Sequence, residues 1–294
     1  MTVPAETSPA PAGDAPPSDL QRSRERYRRE RARRSAAIAS VSTVVFLVVV
    51  GAAIVLSPGW PRVRESFLDA EVARDSLPDI LSGLWLNVRV LAVAAVLIVL
   101  VGLAVAGLRT LRGPIWFPVR ALAAAYTDLF RGMPLIILLY LVGFGIPGLQ
   151  LRGVPTSPVV LGTVALVLTY SAYVAEVFRA GIESVHPSQR AAARSLGLSY
   201  GQTMRRVVLP QAVRRVVPPL LNDLVALQKD VGLISVLGAL DAVRQAQINA
   251  DATFNFTPYL VAGILFILLA IPTIRVADWI TLRATRRQQA SGAL

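Results

Sequence analysis

Six stretches of this chain are apolar over about the length needed to cross a bilayer, and that recurrence limits the fold more than any other feature. They run over 36–56, about 79–108, about 119–146, about 158–178, about 216–240 and about 258–280. A spanning helix needs roughly 20 mainly apolar residues. Lipid offers no partner for an open backbone polar group, so such stretches are helical. Of 294 residues, 54% are hydrophobic and 16% charged, which places the chain outside the soluble globular class. The fold class expected is all-α, a polytopic membrane protein with six transmembrane helices.

The arginines set the orientation. With the N-terminus inside, segments 1–35, 109–120, 179–215 and 275–294 hold 22 of the 30 Lys and Arg residues. The outer segments 57–78, 147–157 and 241–257 hold five, and Arg89, Arg131 and Lys229 fall within spans. Basic residues mark the cytoplasmic side, so both termini and the 179–215 segment are expected there. The same clustering explains the formal charge of +12 without any nucleic-acid partner.

The expected division follows the composition. Residues 1–20, rich in Pro and Ala, read as a disordered tail. Residues 21–35 carry eight arginines, interrupted by Glu25, Tyr27 and Glu30, and read as a basic cytoplasmic block at the lipid surface. The run 36–56 is too long for the core of a cleaved signal and is not followed by a small-residue cleavage site, so it is expected to be a retained first helix. An extracellular loop is expected over 57–78, with Val63, Phe67, Leu68 and Val72 spaced for a short surface helix. Residues 286–294 form a cytoplasmic tail. Trp60, Trp85, Trp116 and Trp279 lie near the expected interfaces, as belt residues do. There is no cysteine and one histidine, His186. Disulfides, thiolate zinc sites and multi-histidine metal sites are thereby excluded, and no cofactor or metal is expected.

The polar segment AAARSLGLSYGQTMRRVVLP, Ala191 to Pro210, is punctuated for two short helices. Ser188 is placed to cap the first, and Gly197 stands where a helix-ending glycine stands. Ser199 and Gln202 have the capping-box spacing. The second helix is expected to end before Pro210, because the residue ahead of a proline avoids the helical region. Helices this short are not stable alone in water, so they must pack on the chain's own spans or on a partner.

This segment resembles the cytoplasmic signature loop of ATP-binding-cassette importer permeases. That pattern is Glu-Ala-Ala, three residues, Gly, nine residues, then Ile-x-Leu-Pro. Here it reads Ala191-Ala192-Ala193, three residues, Gly197, nine residues, then Val207-Val208-Leu209-Pro210. The stretches Phe130–Pro147, Ala172–Val185 and Asn222–Gly238 resemble the polar amino acid branch of that family, and the likeness covers about 79–285. It implies a type I importer transmembrane core with one extra N-terminal helix. The 187–210 loop would be a coupling element that docks on a cytoplasmic ATPase subunit. A second permease chain, identical or paralogous, an extracellular solute-binding protein and an amino acid substrate are implied with it. The chain has no phosphate-binding G-x-x-x-x-G-K-[ST] loop, so it is not the ATP-binding subunit and not an enzyme. One departure is Ala191, where the family carries glutamate. With Ser188 as cap, 191 is the position where a glutamate would close a capping box, and its loss would cost about 0.5–1 kcal/mol.

Ionisable groups inside spans are expensive and commonly functional. Asp128 and Arg131 flank a break at Gly132–Pro134, which Pro134 enforces. They read as part of a gate or, more plainly, as an i,i+3 pair. Glu176, three residues before Arg179, either lines the inner pathway or forms a local ion pair. Gln228, Lys229 and Asp230 sit deep in an apolar segment, as substrate regions of transporters do. The plainer reading has Lys229 and Asp230 neutralise each other. The family carries hydroxyl residues after its Lys-Asp pair, and here they are Val231 and Gly232. His186 reads as a helix-end residue. Two other machines fit part of the pattern. An ion-coupled secondary transporter requires repeated halves and mid-membrane carboxylates. A docking scaffold requires a sealed bundle. Within the importer reading, another small polar solute is the alternative cargo.

Overall fold

A computed structural model of the chain describes residues 19–111 and 113–291. The tail expected over 1–20 lies outside the described residues except for Asp19 and Leu20, which open the first helix. Every regular element among the described residues is helical. The chain divides into two units, one ending at Val63 and the other starting at Arg64.

The first unit is dominated by α1, Asp19–Val55, whose stretch Arg33–Val55 is long and apolar enough to cross a membrane. Its apolar side chains, Val44 to Val50 among them, are exposed, as on a helix whose solvent is lipid. It stops at Ser57, Pro58 and Gly59, with the Ser57 hydroxyl donating to the Ile54 carbonyl at 2.7 Å. The short helix expected in the outer loop is present as α2, Trp60–Phe67. It ends before Leu68 and Val72, which the spacing assigns to it.

The second unit begins where Asp69 caps α3, Ala70–Thr110, accepting from the Glu71 and Val72 amides at 3.0 and 3.2 Å. At 1.5 Å per residue this helix is roughly 60 Å long, about twice the hydrocarbon core. Residues 70–78, expected as loop, are therefore its first turns. Its buried residues recur at intervals of three and four, from Ile80 and Gly83 through Asn87, Val90, Ala94 and Ile98 to Gly102 and Ala106. That stripe faces the bundle, while Val93, Val96, Leu100 and Leu103 face outward.

After a 3-10 turn at Pro114–Trp116 comes α4, Phe117–Gly132. It is followed by α5, Leu135–Tyr140, a π turn at Leu141–Gly145, and α6, Ile146–Gly148. The expected break is there. Met133 is extended ahead of Pro134, and the helices on either side meet at 106°. The central helix is α7, Pro158–Glu183, packed on α3, α4, α5 and α10. Then come α8, Pro187–Ser195, α9, Tyr200–Thr203, and α10, Leu209–Asp230. A 3-10 turn, Val231–Leu237, ends at the left-handed Gly238. Asp241 caps α11, Ala242–Thr253, and α12, Thr257–Ser291, carries the chain through most of the expected C-terminal tail.

The core lies where α3, α7 and α10 meet, around Val90, Ala94, Ile98, Leu166, Tyr170 and Leu227. A second cluster joins α5 to α7 and the 3-10 turn through Leu138, Leu161, Ala165 and Leu237. A third joins α3, α11 and α12 through Ile80, Ala242, Ala246 and Ala262. Four helices are apolar and long enough to span, or five if the bent α4–α6 pair is one span. The expected span over 216–240 is not among them. It breaks at Asp230, and α10 carries Pro218, Pro219, Asn222, Asp223 and Gln228, of which Gln228 is buried, Asp223 half-buried and Asn222 exposed.

Candidate functional site

The 187–210 segment folds as two capped helices, though the first cap differs from the expected one. His186, not Ser188, is the N-cap of α8. Its Nδ1 accepts the Ser188 amide at 3.2 Å and lies 2.7 Å from the Ser188 hydroxyl. Pro187 makes the ring cap possible, because it takes the first helical position without needing a donor partner. The cap shift moves Ala191 to the fifth helical position, so its missing glutamate removes no capping box. Gln189 occupies the third position and accepts from Gln211 at 2.6 Å.

The end of α8 follows the sequence. Gly197 is left-handed at φ +82°. Its amide donates to the Arg194 carbonyl at 2.9 Å and the Leu198 amide to the Ala193 carbonyl at 3.2 Å, the paired bonds of a Schellman ending. Ser199 and Gln202 form the reciprocal capping box. The next expectation fails. The helix does not stop before Pro210 but passes through it by a π turn, Met204–Val208, and becomes α10. The Leu209 amide reaches back to the Met204 carbonyl. This widened turn accommodates a proline that an ordinary α-helical turn would exclude.

The loop is tied to the bundle from one side. Arg190 donates to the Ile182 carbonyl and Arg215 to the Ser184 carbonyl. Ala193 and Val208 are buried, whereas Ala191 and Ala192 are exposed and Leu196 is 84% exposed. Val207 is half-buried, and Leu209 is 40% exposed.

Further along α7, the structure gathers four charged residues. Glu176 accepts from Arg109 of α3 at 2.8 Å and pairs with Arg179 at 2.5 Å, and Arg131 of α4 stands 3.9 Å away. Arg109 also donates to the Thr127 hydroxyl at 3.0 Å, and Arg179 bonds Glu183 as well. The local Glu176–Arg179 pair is thus one edge of a cluster drawn from three helices. The expected Asp128–Arg131 pair is not formed. Arg131 turns toward Glu176 and the Tyr173 ring, 5.8 Å from its centroid, while Asp128 is exposed on α4.

Next to this cluster is a polar cavity of about 400 Å³. The α4–α5 break supplies Arg131 and Pro134, α7 supplies Thr169, Tyr170 and Tyr173, and α10 supplies Asp223 and Asp230. Three of the sequence-chosen residues, Arg131, Pro134 and Asp230, meet here. Lys229 does not pair with Asp230. It is exposed, and Asp230 accepts from the Tyr170 hydroxyl at 2.7 Å. Gln228 is 1% exposed with both amide atoms unpartnered within the chain. The sequence reading missed Tyr170, Asp223 and Arg109. Asp223 carried a usable signal, since seven residues separate it from Asp230, two helical turns on one face.

Asn87 was also missed. It is fully buried, and its amide donates to the Val231 carbonyl at 3.2 Å and to Asp241 at 3.0 Å. Its carbonyl accepts the Ala242 amide at 3.0 Å. One asparagine in the α3 stripe thereby fixes the 3-10 turn and the start of α11. Among the described residues no group of acidic or histidine side chains is arranged to hold a metal.

Comparison with known proteins bears directly on this arrangement. Residues 98–286 match the family described as binding-protein-dependent transport system inner membrane component. The arginine transport system permease protein ArtQ of Bacillus subtilis (strain 168) is 35% identical over 207 residues, which is 69% of this chain and 91% of that protein. The probable glutamine ABC transporter permease protein GlnM of the same organism is 37% identical over 174 residues, 58% of this chain and 77% of that protein. A solved structure described as an amino acid ABC transporter with histidines superposes with a TM-score of 0.65 at 32% identity, covering 70% of this chain and 94% of that one. The MetNI methionine ABC transporter, at 19% identity and a TM-score of 0.58, shares the fold. The matched family covers well over half of the residues, and the chain belongs to the multi-pass inner-membrane permease components of binding-protein-dependent ABC transport systems.

Proposed function

We propose that the chain is the permease subunit of an ATP-driven amino acid importer, and that the 187–210 loop couples it to an ATPase carried on a separate chain. One observation carries the coupling reading. Two short helices are capped, stapled to the bundle on one side, and leave Leu196 at 84% exposure on the other. A leucine at such a loop tip gains nothing from water, whereas a groove on a partner would cover it. The arginine and glutamine systems named among the relatives support an amino acid as cargo.

In this reading the membrane core runs over 79–285, six spans cross the bilayer, and both termini are cytoplasmic. The six are α1, α3, the bent α4–α6 pair, α7, α10 and α12. Two permease chains enclose the pathway, and an extracellular binding protein delivers substrate. Ser188, Ala191, Ala192, Ala193, Gly197, Ser199, Val207, Leu209 and Pro210 build or present the coupling element. Arg131, Pro134 and Asp230 line the pathway, with Gln228 behind them, and the Glu176 cluster braces the inner gate. Asp128 and Lys229, both exposed, are the pathway candidates with least support within the chain.

The test is co-purification with the ATPase encoded for the same system, followed by uptake in cells. Leu196→Glu is expected to release the ATPase and abolish uptake while leaving membrane insertion intact. Retention of the ATPase by this variant would remove the loop from the coupling role.

A further inference from the structure

Two cavities share one wall. The first is the polar cavity described above. The second, about 310 Å³, lies between α3, α7 and α10, and Tyr170 and Asp223 line both. Apart from those two residues, the second is walled by carbon, with Ala95, Ile98, Val174, Val217, Leu220 and Leu224 around it. Its volume is at the lower end of small-molecule sites, which run roughly 300–1,000 Å³. It is ample for one side chain.

The chemistry at the shared wall is incomplete. Oδ2 of Asp223 is buried and has no hydrogen-bond partner within the chain. A carboxylate oxygen held without a donor is costly, and such atoms in a native fold call for a partner from outside. Asp230 is already engaged by the Tyr170 hydroxyl. The free acceptor therefore stands at the junction of a polar chamber and an apolar one.

We propose that the two cavities are one amphipathic site for an amino acid with an uncharged, apolar side chain of about the size of leucine or methionine. The inference rests on the amino acid import reading above. The substrate ammonium supplies the donor that Asp223 lacks. The α-carboxylate stays in the polar cavity, where Arg131 is the cation of the lining. The side chain enters the apolar cavity beyond Tyr170. A guanidinium, ammonium or carboxamide carried into that cavity would meet no polar group past Asp223, and its desolvation would go uncompensated. The apolar chamber thus selects against the charged and amide side chains that the arginine and glutamine systems carry.

The test is binding of single amino acids to the full-length permease purified with its co-expressed ATPase in lipid nanodiscs. Titrants are L-leucine, L-methionine, L-alanine, L-arginine and L-glutamine, and stimulated ATPase activity is the second readout. Leucine and methionine are expected to bind at least tenfold tighter than arginine or glutamine. Ala95→Phe, which fills the apolar cavity, should weaken leucine about tenfold or more and alanine less than threefold, in keeping with the selectivity of about 10–200-fold per methylene in an apolar pocket. Leu220→Trp fills the same space from α10 and repeats the test if Ala95→Phe does not assemble. Asp223→Asn should weaken leucine and alanine alike. Tighter binding of arginine or glutamine overturns this inference and leaves the import reading standing. So does an Ala95→Phe effect that is equal for leucine and alanine. If no amino acid binds or stimulates, this inference falls, and the import reading is decided separately by the uptake assay above.

Discussion

Gly197 and Glu176 are single residues on which the fold of the 187–210 loop and of the charged cluster on α7 depends. Gly197 holds φ +82° with open space around its Cα, so conformation, not crowding, is what a side chain would disturb there. Gly197→Val is expected to cost about 1–2 kcal/mol locally and to reduce ATPase retention in pull-down assays. Gly197→Asn should be close to wild type, because asparagine tolerates the left-handed region. Equal behaviour of the two variants would mean that the Schellman ending does not position the docking face. Glu176 is the shared ion-pair partner of arginines on three helices. Glu176→Gln leaves Arg109 without its charge partner and Arg179 with Glu183 alone, and a loss of about 1.5–3 kcal/mol is expected from the charged hydrogen bonds. Glu183→Gln, at a side chain 60% exposed, should change stability by less than about 0.5 kcal/mol. Thermal unfolding in detergent compares the two, and similar shifts would deny the cluster its bracing role.

At the scale of elements, the packing of α3 on α7 forms the centre of the bundle. These helices approach so closely that a Cβ on Gly102 would lie 2.6 Å from Val174 Cγ1. Small residues at such crossings are how membrane helices gain contact when lipid is as apolar as they are. Gly102→Leu is expected to destabilise by about 1–3 kcal/mol or more through overpacking. Gly107→Leu, with nothing within 4 Å of the added carbon, should be neutral. A melting comparison checks both, and an unperturbed Gly102→Leu would mean the crossing can open. The π turn before Pro210 belongs to the same scale. It joins α9 to α10 without a break, so the second helix of the 187–210 loop and the helix that carries Asp223 and Asp230 are one continuous rod, with Leu196 on the far side of the Gly197 turn.

For the whole molecule, the proposed topology puts Leu196 and Arg152 on opposite faces of the membrane, with α7 between them in the chain. The chain has no cysteine, so single cysteines can be introduced without a background. Arg152→Cys is expected to react with an impermeant maleimide in intact cells. Leu196→Cys should react only after permeabilisation. The reverse pattern would invert the orientation drawn from the arginines. The helical class, the kink at Pro134, the Gly197 ending and the Ser199–Gln202 box were all legible from the chain, because each depends on residues within about one turn of one another or on a composition lipid enforces. The cap at His186 and the passage through Pro210 were not, since each is a choice between local alternatives made by what packs around the loop. The same holds for the partners of the charged groups. Sequence neighbours suggested Asp128 for Arg131 and Lys229 for Asp230, but the structure pairs Arg131 with Glu176 and Asp230 with Tyr170, about 45 and 60 residues away. Periodicity and composition by themselves determine that this chain is built of apolar helices long enough to cross a membrane, and local spacing determines the Gly197 ending and the Ser199–Gln202 box. Which buried polar groups meet, and that Asp223 is left facing two cavities, was decided only by tertiary packing, because a charge inside a bundle takes the partner nearest in space and the chain order does not encode that distance.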